Sequence, residues 1–105
     1  QRSKILDTVI DDVLPPRAAA KVREHLMYGS AKYGIPPGTS APGRTPADHM
    51  AGSDRHLLRM ARLDGPGYDL GAVDADGGAL HLVASICRQL LALEGHLIEQ
   101  EAARG

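Results

Sequence analysis

Apolar residues recur at helical spacing in four stretches of the chain, and prolines and glycines separate those stretches. Over residues 3–14, Ile5, Leu6, Val9, Ile10 and Val13 form one stripe, with Asp7, Asp11 and Asp12 opposite. Ser3 is a suitable N-cap, and Pro15-Pro16 ends the pattern because neither residue supplies an amide proton. A second helix is predicted over 16–30. Its Ala19, Val22, Leu26 and Gly29 share one face, and Lys21, His25, Tyr28 and Lys32 share another. That second face reads either as solvated or as turned toward phosphate. Gly29 and Gly34, around Lys32-Tyr33, mark the end of the helix.

Residues 35–45 are rich in Pro, Gly, Ser and Thr and carry no apolar period. They read as a loop, either a lid or a tether. A third helix is predicted from Thr45 or Pro46, with Thr45 as cap and Asp48 in the first turn, where the helix dipole favours an acid. Met50, Asp54, Leu57, Leu58 and Ala61 are expected to pack, with His49, Ser53, His56, Met60 and Leu63 beside them. Gly52 costs about 1 kcal/mol relative to Ala in a helix, which points to close packing or a kink there.

Residues 64–74 form a second loop broken by Gly65-Pro66-Gly67, with Tyr68, Leu70 and Val73 as expected anchors. The longest helix is predicted from Asp76 or Gly78 to residue 103. Leu80, Val83, Ala84, Cys87, Leu90, Leu91, Leu97 and Ile98 make its stripe, which Gly95 interrupts. No stretch alternates long enough for a strand, and no repeat is visible. The expected fold is all-α: one domain, a small bundle of about four helices, antiparallel or half of a larger intermolecular bundle.

Composition sharpens this picture. The 105 residues include three Tyr but neither Phe nor Trp, so Leu, Ala, Val, Ile and Met must supply the core. A chain this short has a thin stability margin, and homo-oligomerisation is the expected remedy. Net charge is −1 with no long basic run, which argues against DNA or RNA as a partner. The single Cys87 excludes an intrachain disulfide and a thiolate cage. No apolar run approaches the ~20 residues that span a bilayer, and the start lacks a signal pattern. The expectation is a cytoplasmic protein without a membrane partner. The first residue is Gln, so a natural start is expected upstream.

The chemistry-bearing residues concentrate in two motifs, Asp54-Arg55-His56-Leu57-Leu58 and Asp76-Gly77-Gly78-Ala79-Leu80-His81-Leu82. Imidazole is both a common metal ligand and the usual acid–base group near neutral pH. Each of His25, His49, His56, His81 and His96 also reads as a surface or half-buried polar residue. His56 and His81 come from successive helices, and the loop between them must set whether they meet. Carboxylates would be needed for magnesium or manganese, which bridge substrate phosphates. Asp54 and Asp76 are the metal candidates beside these histidines, with Asp74 and Glu94 as further carboxylates. Asp76 also fits a helix cap, and Asp74 a turn. Arg55, Arg59 and Arg62 stand at spacings of four and three on one helix face, and Lys32 follows a glycine-rich helix end. Ser85 and Arg88 make the side of the last helix nearest His81 unusually polar. Neither a Gly-x-Ser-x-Gly elbow nor a phosphate-binding Gly-x-x-x-x-Gly-Lys loop is present, and Cys87 reads as a packed thiol.

Ser30-Ala31-Lys32-Tyr33-Gly34, Arg55-His56-Leu57-Leu58 and Asp76-Gly77-Gly78-Ala79-Leu80-His81-Leu82 resemble, in that order, the phage-associated N-terminal domain of dATP/dGTP diphosphohydrolases. The resemblance covers residues 22–98. It implies hydrolysis of a purine deoxynucleoside triphosphate to monophosphate and pyrophosphate with a divalent metal. It also implies Lys32 and Tyr33 near substrate, and His56 and His81 in the pocket as catalytic residues. Separately from the resemblance, the spacing of Arg55 and Arg59 on one helix face and the place of Arg88 on the polar side of the last helix make these three further candidates for binding the substrate. The chain departs from the family where Asn-Trp usually follows Lys-Tyr-Gly, and the Pro/Gly loop stands there instead. It also has no Glu-Glu-x-x-Glu cluster and no His-Asp dipeptide. A nucleotide-sequestering protein that no longer cuts, for instance a phage protein that blunts host defence, is therefore one alternative. A helical self-assembly protein is the other.

Overall fold

A computed structural model describes residues 13–105, and the helix expected over 3–14 falls almost entirely outside the described residues. Among the described residues the chain is all-helical, with three helices and no strand: α1 (Pro16–Tyr33), α2 (Pro46–Met60) and α3 (His81–Arg104). None of them is long and apolar enough to cross a membrane.

Local chemistry explains each boundary. α1 opens on Pro16 and stops at Gly34, whose φ of 66° lets its N–H turn back to the Ser30 carbonyl. It runs three residues past the predicted end, because Gly34 rather than Gly29 takes the left-handed position. α2 opens on a reciprocal cap: Asp48 N–H donates to Thr45 Oγ1 (3.1 Å), and Thr45 N–H donates to Asp48 Oδ2 (2.9 Å). It ends at Met60, where Asp69 N–H donates to the Met60 carbonyl (2.7 Å) and Ala61 turns extended. Leu63, expected on a helical face, is thus beyond the helix and fully exposed.

α3 starts later than the sequence pattern predicts, and Asp76 is not its cap. Gly77 and Gly78 both take positive φ (87° and 72°), which folds residues 74–79 into a turn instead of a first helical turn. Asp74 N–H donates to the Ala79 carbonyl (2.7 Å), and His81 N–H donates to the Ala72 carbonyl (2.9 Å). A short antiparallel bridge, Val73 with Leu80, ties the loop to the helix start. Backbone pairing of this kind anchors loop 61–80. The expected side-chain anchors Tyr68, Leu70 and Val73 are exposed.

α3 is the common partner, with α2 packed along it and α1 lying against it, while α1 and α2 do not pack on each other. The faces in contact match those predicted only in part: Ala84 and Cys87 of the predicted stripe are buried, but several of its large aliphatics are not. On α2 the buried residues are His49, Gly52, Ser53 and Met60, and Met50 and Leu58 face out. On α3 they are His81, Ala84, Ser85, Cys87 and Ala92, and Leu90, Leu97 and Ile98 are exposed. Small residues win because they let the two axes approach closely. A Cβ on Gly95 would stand 3.1 Å from Pro46 Cγ, and one on Gly52 would collide with the Arg88 guanidinium. The polar groups caught inside satisfy one another: the Ser53 and Ser85 hydroxyls are 2.8 Å apart, and the Gln89 amide donates to both. α1 packs as expected, through the half-buried Ala19, Val22, Leu26 and Gly29, and Cys87 Sγ reaches the Val22 carbonyl (3.5 Å).

Candidate functional site

Because α1 and α2 diverge above α3, a cleft of about 300 Å³ opens between them. Residues of loop 35–44 and of the turn carrying Asp74 and Asp76 also line it. The loop is no loose tether. Ser40 Oγ lies 2.8 Å from His49 Nε2, Thr39 Oγ1 donates to the Pro36 carbonyl (2.6 Å), and Ser30 Oγ donates to the Ile35 carbonyl.

The cleft is lined by Lys32, Arg44, Arg55, Arg59 and Arg88. Of the cations that the sequence singles out, the fold brings Lys32, Arg55, Arg59 and Arg88 to one hollow. Arg62 of the same expected row is elsewhere, paired with Asp64 beyond the helix end (3.2 Å). Arg88 lies across Gly52 and donates to the Asp48 carbonyl (3.3 Å), while its buried Nε has no partner. Burial, then the nearby Arg44 and Arg55, lower its pKa, with Tyr33 and Asp48 opposing. Neighbouring guanidiniums that raise the cost of the Arg88 charge form a site that an anion would relieve. His49 beside them is buried with Nδ1 unpartnered, and burial followed by Arg88 and Arg44 depresses its pKa.

Tyr28 and Tyr33 give the cleft its aromatic surface. Lys32 Nζ stands 5.5 Å from the Tyr33 ring centre and 6.0 Å from that of Tyr28, and His25 stacks on Tyr28 at 5.9 Å. Lys32 Nζ also donates to Asp76 Oδ2 at 2.6 Å across the cleft rim. That bond lifts the lysine pKa and lowers the carboxyl's.

His56 and His81 meet. Their Nδ1 atoms are 2.8 Å apart, with ring centres at 5.1 Å and planes tilted by 42°. His56 reaches the cleft from α2. His81 is buried at the start of α3. Burial, and then His81, depress the His56 pKa, while Asp74 acts to raise it. One ligand atom from each of His56, Asp74 and His81 lies within 4.8 Å of the others.

The carboxylates sort differently from the sequence expectation. Asp54 is exposed and outside the cleft lining. Two residues along a helix is about 200° of rotation, so Asp54 and His56 point apart. Asp76 is at the cleft, but its carboxylate is engaged by Lys32. Asp74, which reads from sequence as a turn residue, is the acid beside the imidazoles. Arg44 and Ser40 carry no sequence signal, since both sit in an aperiodic loop. Cys87 is buried, its thiol pushed up to about 11 by desolvation, and so is inert as a nucleophile at neutral pH. No protein-family model, curated protein or solved structure matches this chain.

Proposed function

We propose that the cleft binds a purine (deoxy)nucleoside triphosphate and, with a divalent cation, hydrolyses it to the monophosphate and pyrophosphate. The observation that carries this reading is the convergence of Arg44, Arg55 and Arg88 on one hollow. Guanidinium forks match phosphate oxygens geometrically. Tyr28 and Tyr33 supply flat surfaces for a base, and the volume lies at the lower end of the range for small-molecule sites. In the reaction a water oxygen bonds to phosphorus at the α–β bridge, and the bond from that phosphorus to the bridging oxygen breaks. Pyrophosphate leaves with the electron pair, and the water proton passes to a base. His56 or His81 would serve there by proton transfer or by ligation, and a divalent cation held beside them would supply charge neutralisation of the phosphates. The resemblance of the three motifs to the dATP/dGTP diphosphohydrolase domain supports the same choice of substrate and reaction.

A non-catalytic nucleotide-sequestering protein uses the same cleft. Incubation with each common nucleotide and magnesium, manganese or cobalt, followed by chromatography of the products, separates the two readings. Release of pyrophosphate establishes the enzyme. Thermal stabilisation with the nucleotide recovered intact establishes the binder. Absence of both overturns the nucleotide reading.

We also propose that the chain self-associates through the outer face of α3. Leu90, Leu93, Leu97 and Ile98 stand exposed there, and Leu90 and Leu93 line a shallow apolar groove with Met50 of α2. Among the described residues, the buried hydrophobics are only Met60, Ala84, Cys87 and Ala92. A core so small gains most from covering this second face.

A further inference from the structure

We propose that His56, Asp74 and His81 form a binding site for one divalent transition ion, of the manganese, cobalt or zinc class, in preference to magnesium. The proposal stands on the geometry of these three side chains and does not depend on the nucleotide reading. The two Nδ1 atoms already face each other at 2.8 Å. Two nitrogens bound to a common ion at ~2.0–2.1 Å lie roughly 3 Å apart, so the present spacing is close to that of a chelate, reached by a slight parting and a rotation of the two rings that turns both lone pairs toward one point. The Asp74 carboxylate completes a set whose ligand atoms lie within 4.8 Å of one another. Two imidazoles and one carboxylate suit borderline ions, whereas magnesium demands oxygen ligands.

The backbone builds this arrangement. Positive φ at Gly77 and Gly78 reverses the chain between Asp74 and His81. The hydrogen bonds from Asp74 N–H to Ala79 and from His81 N–H to Ala72 lock the two ends of the turn. Asp74 Oδ1 accepts Asp76 N–H at 3.0 Å, which fixes the carboxylate's orientation and leaves its other oxygen for a ligand. Since His81 is buried and His56 opens on the cleft, the exposed side of such an ion faces the arginine-lined hollow. Three protein ligands leave further positions for water or a phosphoryl oxygen. Without an ion, one imidazole donates its Nδ1 proton to the other. To bind one, that proton shifts to Nε2 and both Nδ1 lone pairs become available.

Titration of the full chain with Zn²⁺, Co²⁺, Mn²⁺ and Mg²⁺, without nucleotide, tests this by calorimetry and by the visible absorption of bound Co²⁺. The expected result is one equivalent of Co²⁺ or Zn²⁺ bound at least ~10-fold more tightly than Mg²⁺, with imidazole-type cobalt bands. His56→Ala and Asp74→Asn should each weaken binding by ~10-fold or more, while Asp54→Asn and His96→Ala leave it intact. His81 is buried, so the near-isosteric Asp74→Asn decides the matter should His81→Ala fail to fold. Equal ion binding by Asp74→Asn and wild type, equal affinity for Mg²⁺ and Zn²⁺, or no ion uptake by wild type overturns the proposal. Nucleotide binding measured separately in EDTA distinguishes failure of this site from failure of the nucleotide reading.

Discussion

Gly52 and Arg88 are matched across the α2–α3 contact: a Cβ on Gly52 would stand 2.3 Å from Arg88 Nε. The absent side chain is what lets the guanidinium lie flat and reach the Asp48 carbonyl at 3.3 Å. Gly52→Ala should therefore move Arg88 without unfolding the helix. Alanine gains about 1 kcal/mol of helix propensity, which offsets part of the roughly 1–3 kcal/mol that overpacking costs. The expected outcome is a melting temperature within a few degrees of wild type and triphosphate affinity reduced ~10-fold, or ~1.4 kcal/mol. Arg88→Gln should give the same loss, and the double variant no more than either alone, as a calorimetric double-mutant cycle would read.

The Lys32–Asp76 bond predicts an unusual sign. Asp76 holds the lysine ammonium at 2.6 Å and competes with any phosphate for it. Asp76→Asn should strengthen triphosphate binding about two- to five-fold at low ionic strength, and the gain should vanish in ~0.5 M salt. Thermal stability should hardly change, because an exposed ion pair contributes little. If Asp76 were instead a metal ligand, as its place beside His81 in sequence suggests, the same substitution would abolish cation binding.

Stability should fall in mild acid. His25, His49 and His56 all have pKa values lowered by burial. The groups facing them are mixed. Asp74 opposes the shift at His25 and His56, and Asp48 at His49, while Arg44, Arg59, Arg88 and His81 add to it. An unfolded imidazole takes up a proton near pH ~6.5, above its folded counterpart, so the unfolded state binds more protons in that window. The stabilisation is complete above about 6.5 and is lost as pH drops from there through the lowered folded values. A melting temperature that declines from about pH 7 to about pH 5, with a shallower decline for His49→Gln, is expected by scanning fluorimetry. Asp48, Asp64 and Asp76, whose pKa values are depressed, lose their contributions only in stronger acid, as pH falls through their folded values.

The outer face of α3 gives a prediction independent of the cleft. Leu93 and Leu97 are 54% and 43% exposed, one helical turn apart. Leu93→Glu with Leu97→Glu should convert an oligomer to a monomer in light scattering while leaving nucleotide-induced stabilisation in place. A monomeric wild-type chain at tens of micromolar would refute self-association through this face.

Much of this protein is legible residue by residue. Thr45, Pro46 and Asp48 announce the start of α2 because capping is local chemistry, and the Pro/Gly run over 35–45 announces a loop for the same reason. His56, His81 and the basic residues Lys32, Arg55, Arg59 and Arg88 can be singled out in advance, but spacing along each helix does not say that they meet; the motif resemblance alone implies a shared pocket for the two histidines. Packing faces are less legible. Periodicity ranks residues by hydrophobicity, yet α2 and α3 meet through Gly52, Ser53, Ala84 and Ser85, where small size rather than apolarity sets the distance of approach.

The helical class, the Thr45–Asp48 cap and the identity of the reactive side chains follow from the amino-acid order, since each depends on neighbours within a few positions. Which carboxylate joins the imidazoles does not. Asp54 is nearer to His56 along the chain, yet it projects to the other side of the helix. Asp74 arrives beside His56 and His81 only once two glycines reverse the backbone and α3 brings the turn against α2. Long-range placement of this kind depends on the packing distance between helices, which no local rule contains.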